Sequence, residues 1–143
     1  MTATTGKHIT AVEEFDRLLT PTDRLSTYKG DLLLDGCRAV DLVAEFGSPL
    51  YVVAEGTLRE NYRRIQKAFS EAWSHPINIL YAIKANNNLA IRAIMFQEGA
   101  GGDCFGTGEL YATFMGGADP QKVVLNGSSK TRVEIQRAIE LGI

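Results

Sequence analysis

The chain has 143 residues, of which 45% are apolar and 22% are charged, and its formal net charge is −2. This composition is ordinary for a soluble globular protein, and the length suffices for one modest hydrophobic core. The small negative charge gives no electrostatic reason to expect nucleic acid or an anionic membrane as a partner. No apolar run is long enough to span a bilayer, and residues 1–7 lack the apolar centre of a signal peptide. We therefore expect a cytoplasmic protein.

The cysteines and histidines do not indicate a metal site or a disulfide framework. Cys37 and Cys104 are the two cysteines, and a reducing compartment would keep both as small apolar thiols. His8 and His75 each stand alone, without the spacing of zinc ligands, so a structural or surface role is predicted for each.

The first third of the chain alternates short helical and extended patterns. Disorder is predicted for residues 1–8. The helix over 39–46 is expected to bury Val40, Val43 and Ala44 and to end at Gly47. The predicted elements are a helix over 9–19, a strand over 32–34 followed by a turn at Asp35-Gly36, a helix over 39–46 and a strand over 49–53.

A long helix follows. Thr57 and Glu60 have the spacing of a capping box, which predicts that the helix begins there. Its apolar stripe is Leu58, Tyr62, Ile65, Phe69 and Trp73. Its basic residues are interpreted as a solvated outer face; they are Arg59, Arg63, Arg64 and Lys67.

The remainder of the chain repeats a strand and a helix three times, with about 22 residues in each unit, a compact spacing that short loops allow. Thr107 is expected to cap the second helix, and Thr131 with Glu134 forms a capping box for the third. Consecutive units of this kind predict a parallel sheet with right-handed crossovers. The predicted strands are 77–83, 102–105 and 122–125, and the predicted helices are 89–98, 108–115 and 132–141.

We therefore predict an α/β fold, the N-terminal part of a (β/α)8 barrel truncated after about three βα units. A closed barrel takes about 250 residues, so we expect the chain to be a fragment or a truncated version of a longer protein. Made alone, it should be inactive and prone to associate through its last strand.

Lys84 is the residue around which the candidate site is built. Ile79, Tyr81 and Ile83 fall on one face of the predicted strand, and Lys84 lies on the other, at its carboxyl end. Barrels place their chemistry at such strand ends. The alternative is that the lysine simply reaches into water, as many strand-end lysines do.

Polar residues also follow the next two strands. Asn86 comes just past Lys84, Asp103 and Glu109 accompany the second strand, and Asn126 follows the third. Each has a structural alternative, since Asp103 and Asn126 are turn formers and Glu109 suits the start of a helix. A lysine at a barrel mouth suits imine chemistry with an aldehyde, and carboxylates nearby would orient it or bind cofactor and substrate.

The sequence Tyr81-Ala82-Ile83-Lys84-Ala85-Asn86 resembles the cofactor-lysine motif of the pyridoxal-phosphate decarboxylases that have an alanine-racemase-like barrel. These are the fold-type III decarboxylases of ornithine, diaminopimelate and arginine. The similarity covers about residues 31–143, and the segment 48–52 is most similar to the diaminopimelate enzymes. Further matching motifs are Asp103, Gly106-Thr107-Gly108-Glu109, Asn126-Gly127 and Lys130-Thr131.

The chain departs from the family pattern at residues 106–109, where the family usually has Ser-Gly-Gly-Glu. Neither His8 nor His75 matches the family's histidine that stacks on the cofactor ring. That histidine, the phosphate-binding loop and the acid that pairs with the ring nitrogen would be expected beyond Ile143.

The resemblance implies that pyridoxal 5'-phosphate is held as an imine on Lys84, with Asp103, Glu109 and Asn86 as further cofactor-binding residues. It implies a carboxy-lyase of lysine biosynthesis that converts meso-diaminopimelate to L-lysine and carbon dioxide. The implied partners are a small-molecule amino-acid substrate and a second copy of the chain in a homodimer. The implied domains are an N-terminal extension (1–30), a segment that packs with a C-terminal β domain (31–56) and the first part of the cofactor barrel (57–143). Alternatives are a decarboxylase of ornithine, arginine or a carboxylated polyamine, a racemase with a related barrel, and an inactive homologue.

Overall fold

A computed structural model describes residues 24–143, and the chain divides into two units, Met1–Thr57 and Leu58–Ile143. The disorder predicted for 1–8, the helix predicted over 9–19 and His8 lie outside the described residues.

The first unit contains a small antiparallel sheet of strands β1 (Leu25–Tyr28), β2 (Asp31–Leu34) and β3 (Cys37–Arg38), in the order β1-β2-β3. Lys29 and Gly30, both at positive φ (52° and 87°), form the two-residue turn between β1 and β2. Tight hairpin turns of this kind match the twist of the two strands. The strand and turn predicted over residues 32–36 are confirmed. Strand β1 was not predicted because most of its residues are polar and it is only four residues long.

Helix α1 (Ala39–Phe46) has the predicted bounds and ends at Gly47, whose N–H donates to the Val43 carbonyl. The prediction that Val40, Val43 and Ala44 point inward is wrong, because all three are exposed. Cys37 is exposed too, so it does not pack as a small apolar residue.

The strand predicted over 49–53 does not form. No strand among the described residues pairs with this segment, and a strand needs hydrogen-bonded neighbours to be stable. Its large apolar side chains are exposed, with Tyr51 at 99%.

Helix α2 (Glu55–Ala72) begins two residues before Thr57, so the predicted capping box is wrong. The Gly56 N–H in the first turn instead donates to Asp35 Oδ2, at 3.0 Å. A carboxylate from the β2–β3 turn therefore occupies the place that a local cap would fill.

The second unit contains the three predicted βα repeats, and its parallel sheet has the order β4-β5-β6. This arrangement confirms the predicted α/β class. The elements are β4 (Leu80–Ala82), α3 (Leu89–Gln97), β5 (Gly101–Cys104), α4 (Thr107–Met115), β6 (Val123–Leu125) and α5 (Arg132–Glu140).

Two of the predicted strands are shorter than expected. Residues 77–79 form no strand, and 3-10 turns replace residue 83 of the first strand and residue 122 of the last. Residues Ile83–Ala85 form such a turn directly after β4, and Pro120–Lys122 form another before β6. The capping box of Thr131 and Glu134 is confirmed. The predicted cap at Thr107 is wrong, because Gly106 is the residue before the helix and Thr107 is its first residue.

The sheet buries one face against the helices. Cys104 is fully buried there, and its Sγ lies 3.1 Å from Thr113 Oγ1 on α4. A Cβ placed on Gly102 would also meet Thr113, so Gly102 and Cys104 face the helices. Because side chains alternate along a strand, Asp103 lies on the opposite face. The core on the helix side consists of Ile83, Cys104, Leu110, Ala118 and Val123.

A second cluster lies between α2 and α3. It consists of the buried residues Tyr62, Ile91, Met95 and Ala100, with Leu58 packed against them. The prediction that Leu58 and Tyr62 belong to the apolar stripe of α2 is therefore confirmed. Ile65, Phe69 and Trp73 in its second half are about half exposed or more.

Two of the four basic residues on α2 pair with one acidic side chain. Arg59 and Arg63 both form ion pairs with Glu98, at 2.8 Å and 2.7 Å. The Glu98 side chain is only 9% exposed, and hydrogen bonds from Arg63 and Arg59 lower its pKa. The interpretation of a solvated face is wrong for Arg59, whose side chain is 24% exposed, whereas the Arg63 side chain is 65% exposed and agrees with it. Sequence alone could not place Glu98 beside the two arginines.

We expect Glu98→Gln to destabilise the fold at neutral pH and to have a smaller effect in acid. A carboxyl whose pKa is lower in the folded chain adds stability above its unfolded pKa, about 4.3, and that stability is lost as pH falls through the folded value. Denaturation midpoints of variant and wild type, measured from pH 7 to pH 4, should converge toward the acid end. Glu71→Gln, which removes an exposed pair with Lys67, is the matched control and should have little effect. A difference for Glu98→Gln that stays constant with pH would contradict the assignment.

Candidate active site

Lys84 lies in the 3-10 turn that begins as β4 ends. The strand stops at Ala82, two residues before the lysine, so the lysine is not itself on the strand, but it lies at the carboxyl end as predicted. Its side chain is exposed, and its Nζ lies 4.9 Å from the centroid of the Phe105 ring. Within residues 24–143 it forms no ion pair. Its amine is therefore available for chemistry.

The asparagines after Lys84 hold the turn and start the next helix. The Asn86 carbonyl accepts a hydrogen bond from the Tyr81 hydroxyl at 3.2 Å, and Asn86 Oδ1 accepts from the Asn88 N–H at 3.1 Å. Asn88 Oδ1 in turn caps α3 by accepting from the Ala90 N–H. Burial raises the pKa of Tyr81, so its hydroxyl stays a donor at neutral pH.

Asp103 lies next to the end of β5, with Ala82 and Val124 as its neighbours on the adjoining strands. Its Oδ1 is buried and has no hydrogen-bond partner within the described part of the chain. A buried carboxylate oxygen without a donor is costly, and such atoms recur at binding and catalytic sites. Asp103 therefore offers an unused acceptor on the face of the sheet that the helices do not cover.

Glu109 lies in the first turn of α4. Its Oε2 accepts a hydrogen bond of 2.8 Å from the Phe105 N–H, so the side chain reaches back over the start of its own helix. Glu109 thus acts as an acid at the start of a helix, which is the structural alternative to cofactor binding given for it in the sequence analysis.

Arg92 lies beneath this turn and is a residue that sequence analysis did not identify. It is 1% exposed, and its Nη1 donates to the Glu109 carbonyl at 2.9 Å and to Thr113 Oγ1 at 3.4 Å. Its Nε is buried without a partner. The signal in the sequence is a single charge inside the otherwise apolar run of α3.

The third strand end is joined to the second through its loop. The Asn126 N–H donates to the Cys104 carbonyl at 2.7 Å, and Asn126 Oδ1 accepts from the Gly127 N–H. Lys130 Nζ donates to the Phe105 carbonyl and lies 5.6 Å from the centroid of the Phe105 ring. Asn126 thus acts as the turn former that its structural alternative describes, and Lys130 is a second amine near Lys84.

The three strand ends therefore bring together an available amine, a buried carboxylate, an aromatic ring and a second ammonium. Among the described residues, no group of His, Cys, Asp or Glu side chains could hold a metal ion. Over the same range, none of the helices combines the length and the apolar character needed to cross a membrane.

Comparison with known proteins agrees with this geometry. Residues 55–143 match the family described as "Pyridoxal-dependent decarboxylase, pyridoxal binding domain". A diaminopimelate decarboxylase of Methanothermobacter thermautotrophicus is 44% identical over 115 residues, which are 80% of this chain and 27% of the relative. The crystal structure of diaminopimelate decarboxylase from M. jannaschii in complex with L-lysine has a TM-score of 0.81 at 37% identity, covering 85% of this chain and 29% of the other.

A lysine/ornithine decarboxylase from Vibrio vulnificus, in complex with putrescine, has a TM-score of 0.63 at 24% identity, over 72% of this chain and 27% of the other. At that identity the likeness concerns the fold. The chain spans roughly a quarter of the length of the curated relatives that it matches.

The chain belongs to the family of pyridoxal-dependent decarboxylases, in the part that forms the pyridoxal binding domain. Its fold is a portion of their alanine-racemase-like (β/α)8 barrel, and the cofactor of the family is pyridoxal 5'-phosphate. The exposed amine of Lys84 and the unpaired Oδ1 of Asp103 fit such a group, because an aldehyde needs an amine to bind it and a cofactor hydroxyl needs an acceptor.

Proposed function

We propose that the chain is part of a pyridoxal-phosphate-dependent amino-acid decarboxylase that converts meso-diaminopimelate to L-lysine and carbon dioxide. The observation that carries the proposal is the amine of Lys84, exposed at the end of β4 without an ion-pair partner in the described chain. The diaminopimelate decarboxylases among its relatives, at up to 44% identity, support the substrate.

Lys84 would hold the cofactor through its side-chain nitrogen, and Asp103 would accept a hydrogen bond through its buried Oδ1. Asn86 and Glu109 are proposed as further cofactor-binding residues. Hydrogen bonds within the chain already use one side-chain oxygen of each residue, Asn86 Oδ1 and Glu109 Oε2. The Asn86 amide nitrogen and Glu109 Oε1 are therefore the side-chain atoms that would face the cofactor.

When bound, the cofactor supplies an electron sink for the electron pair that remains on the α-carbon after carbon dioxide leaves. The residues of this chain would bind and orient the cofactor and the substrate. The short turn of residues 83–85 would keep the Lys84 amine close to the reacting carbon of a bound substrate.

We also propose that the enzyme is a homodimer of the cytoplasm. Both parts of this proposal rest on the resemblance to the fold-type III decarboxylases of diaminopimelate. Neither nucleic acid nor a membrane is proposed as a partner, given the charge of −2.

The test of the proposed reaction is product formation. The whole protein, supplied with pyridoxal phosphate, should release carbon dioxide from meso-diaminopimelate and form L-lysine. Ornithine and arginine, offered at the same concentration, should yield little or no product. Turnover of ornithine or arginine in preference to diaminopimelate would overturn the substrate, and no turnover of any amino acid would overturn the activity.

Asp103→Ala is expected to weaken cofactor binding by roughly tenfold to a hundredfold, the range for a hydrogen bond to a charged group. The cofactor-free protein should melt at the same temperature as wild type or higher, because the substitution removes a buried oxygen that has no partner. Cofactor titration and thermal unfolding without cofactor give the two measurements. The cofactor affinity of Asp103→Asn should fall between that of Asp103→Ala and that of wild type. A large loss of melting temperature with unchanged cofactor affinity would make Asp103 a structural residue instead.

A further inference from the structure

Phe105 follows β5 directly, and the residue is 41% exposed. Two ammonium groups lie near this ring, Lys84 Nζ at 4.9 Å and Lys130 Nζ at 5.6 Å from its centroid. An ammonium within about 6 Å of a ring centroid is attracted by the quadrupole of the ring. The ring thus contacts both lysines at the strand ends.

The backbone of Phe105 is held at both of its polar groups by side chains. Its N–H donates to Glu109 Oε2 at 2.8 Å, and its carbonyl accepts a hydrogen bond from Lys130 Nζ. Glu109 is held in turn, because its own carbonyl accepts from the buried Arg92. These contacts restrict the position of the ring on a loop that would otherwise be free to move.

Gly127 provides the space for this arrangement. A Cβ at Gly127 would lie 2.9 Å from Phe105 Cδ1 and 3.0 Å from Lys130 Nζ, and the residue has a φ of +106°. Any other residue would therefore push the ring or the second ammonium aside and would also strain the backbone. The third strand end is shaped to let the Phe105 ring and Lys130 approach each other.

We propose that Phe105 is a positioning residue for Lys84, and that Lys130 and Glu109 hold Phe105 in place. The ring gives the ammonium of Lys84 a defined resting position at the end of β4 whenever the amine is not bonded to the cofactor. This inference rests on the proposed function, in which Lys84 holds the cofactor, but the contact between Lys84 and Phe105 can be tested without it.

The first test observes the contact itself. Reductive methylation with 13C-formaldehyde marks each lysine amine and keeps its charge. The Lys84 signal, identified by its loss in Lys84→Arg, should be shifted upfield by the ring relative to that of the exposed Lys67. Phe105→Leu should remove the shift, Phe105→Tyr should keep it, and Lys67 should be unchanged throughout. An unshifted Lys84 signal in the wild-type protein would overturn the proposal.

The second test measures positioning in the whole protein. The rate at which pyridoxal phosphate attaches to the cofactor-free protein, followed by absorbance, should rise roughly twofold to fivefold in Phe105→Leu, the range for an exposed cation–π contact, because Lys84 must leave the ring and give up its proton before it bonds to the aldehyde. Phe105→Tyr should restore the rate, and Tyr111→Leu, at an exposed aromatic residue on α4, should leave it unchanged. Equal rates for Phe105→Leu and wild type, or a failure of Phe105→Tyr to restore the rate, would contradict the positioning role.

The two tests separate the two proposals. If the ring shift is present but pyridoxal phosphate never attaches to Lys84, the proposed function fails and the contact stands. If the cofactor attaches normally but the ring shift is absent, the positioning role fails and the proposed function stands.

Discussion

Lys84→Ala is expected to abolish attachment of pyridoxal phosphate and to lower decarboxylation by a factor of at least roughly 10³, the scale on which removal of a covalent catalytic group reduces turnover. The physical reason is that Lys84 supplies the amine at the end of β4, and Lys130, the other amine near the Phe105 ring, is already bonded to the Phe105 carbonyl. The fold should be nearly unchanged, because the Lys84 side chain is exposed and forms no ion pair within the described residues.

Initial rates and thermal unfolding of the variant give the two measurements. Lys67→Ala removes an exposed lysine from α2 and serves as the control, with no expected effect on either. Turnover near that of wild type in Lys84→Ala would contradict the assignment of the cofactor lysine.

Gly101→Ala is expected to produce the largest loss of stability among the substitutions considered, about 3 kcal/mol or more, since overpacking a tight core forces the backbone to shift. A Cβ on Gly101 would overlap the Lys122 carbonyl oxygen and the Leu80 side chain. Gly101 is the first residue of β5 and is paired with Leu80 on β4, so the overlap would push strands apart. Denaturant unfolding of the cofactor-free protein measures the loss.

Gly108→Ala is the matched control. No atom outside the local backbone lies within 4 Å of a Cβ at Gly108, which lies in the first turn of α4. An alanine there should be neutral or should stabilise by about 0.5–1 kcal/mol, because glycine in a helix loses more backbone entropy. Equal losses for the two substitutions would contradict the close packing at the start of β5.

The βα repeat was predictable because each of its signals is local. Apolar alternation around Tyr81, the capping box at Thr131 and the glycines after each helix all report on neighbouring residues, and the structure has three units at those places. The prediction for Lys84 depended in the same way on a strand that ends in a turn.

The features that sequence analysis missed depend on contacts between distant residues. Asp35 satisfies the first turn of α2 from 21 residues away, which displaces the predicted cap at Thr57. Glu98 pairs with arginines more than 30 positions earlier, and the strand predicted over 49–53 lacks any partner among the described residues. A local pattern cannot report whether a distant partner exists.

The candidate site also has features that local sequence predicts and features that depend on distant contacts. Its position at the strand ends and its lysine were accessible from the motif, whereas the Phe105 ring between two ammonium groups was not. That arrangement requires Lys84, Phe105 and Lys130 to converge from three loops over 46 residues, and only the parallel register of β4, β5 and β6 brings them together.

The central claim is that Lys84 is the residue that holds pyridoxal phosphate, and covalent fixation tests it most directly. The whole protein is incubated with pyridoxal phosphate, reduced with borohydride, digested and analysed by peptide mass. We expect one phosphopyridoxyl group, on the peptide that contains Lys84, and none on the peptide that contains Lys130. Stoichiometric labelling of any other lysine, with Lys84 unmodified, would contradict the claim.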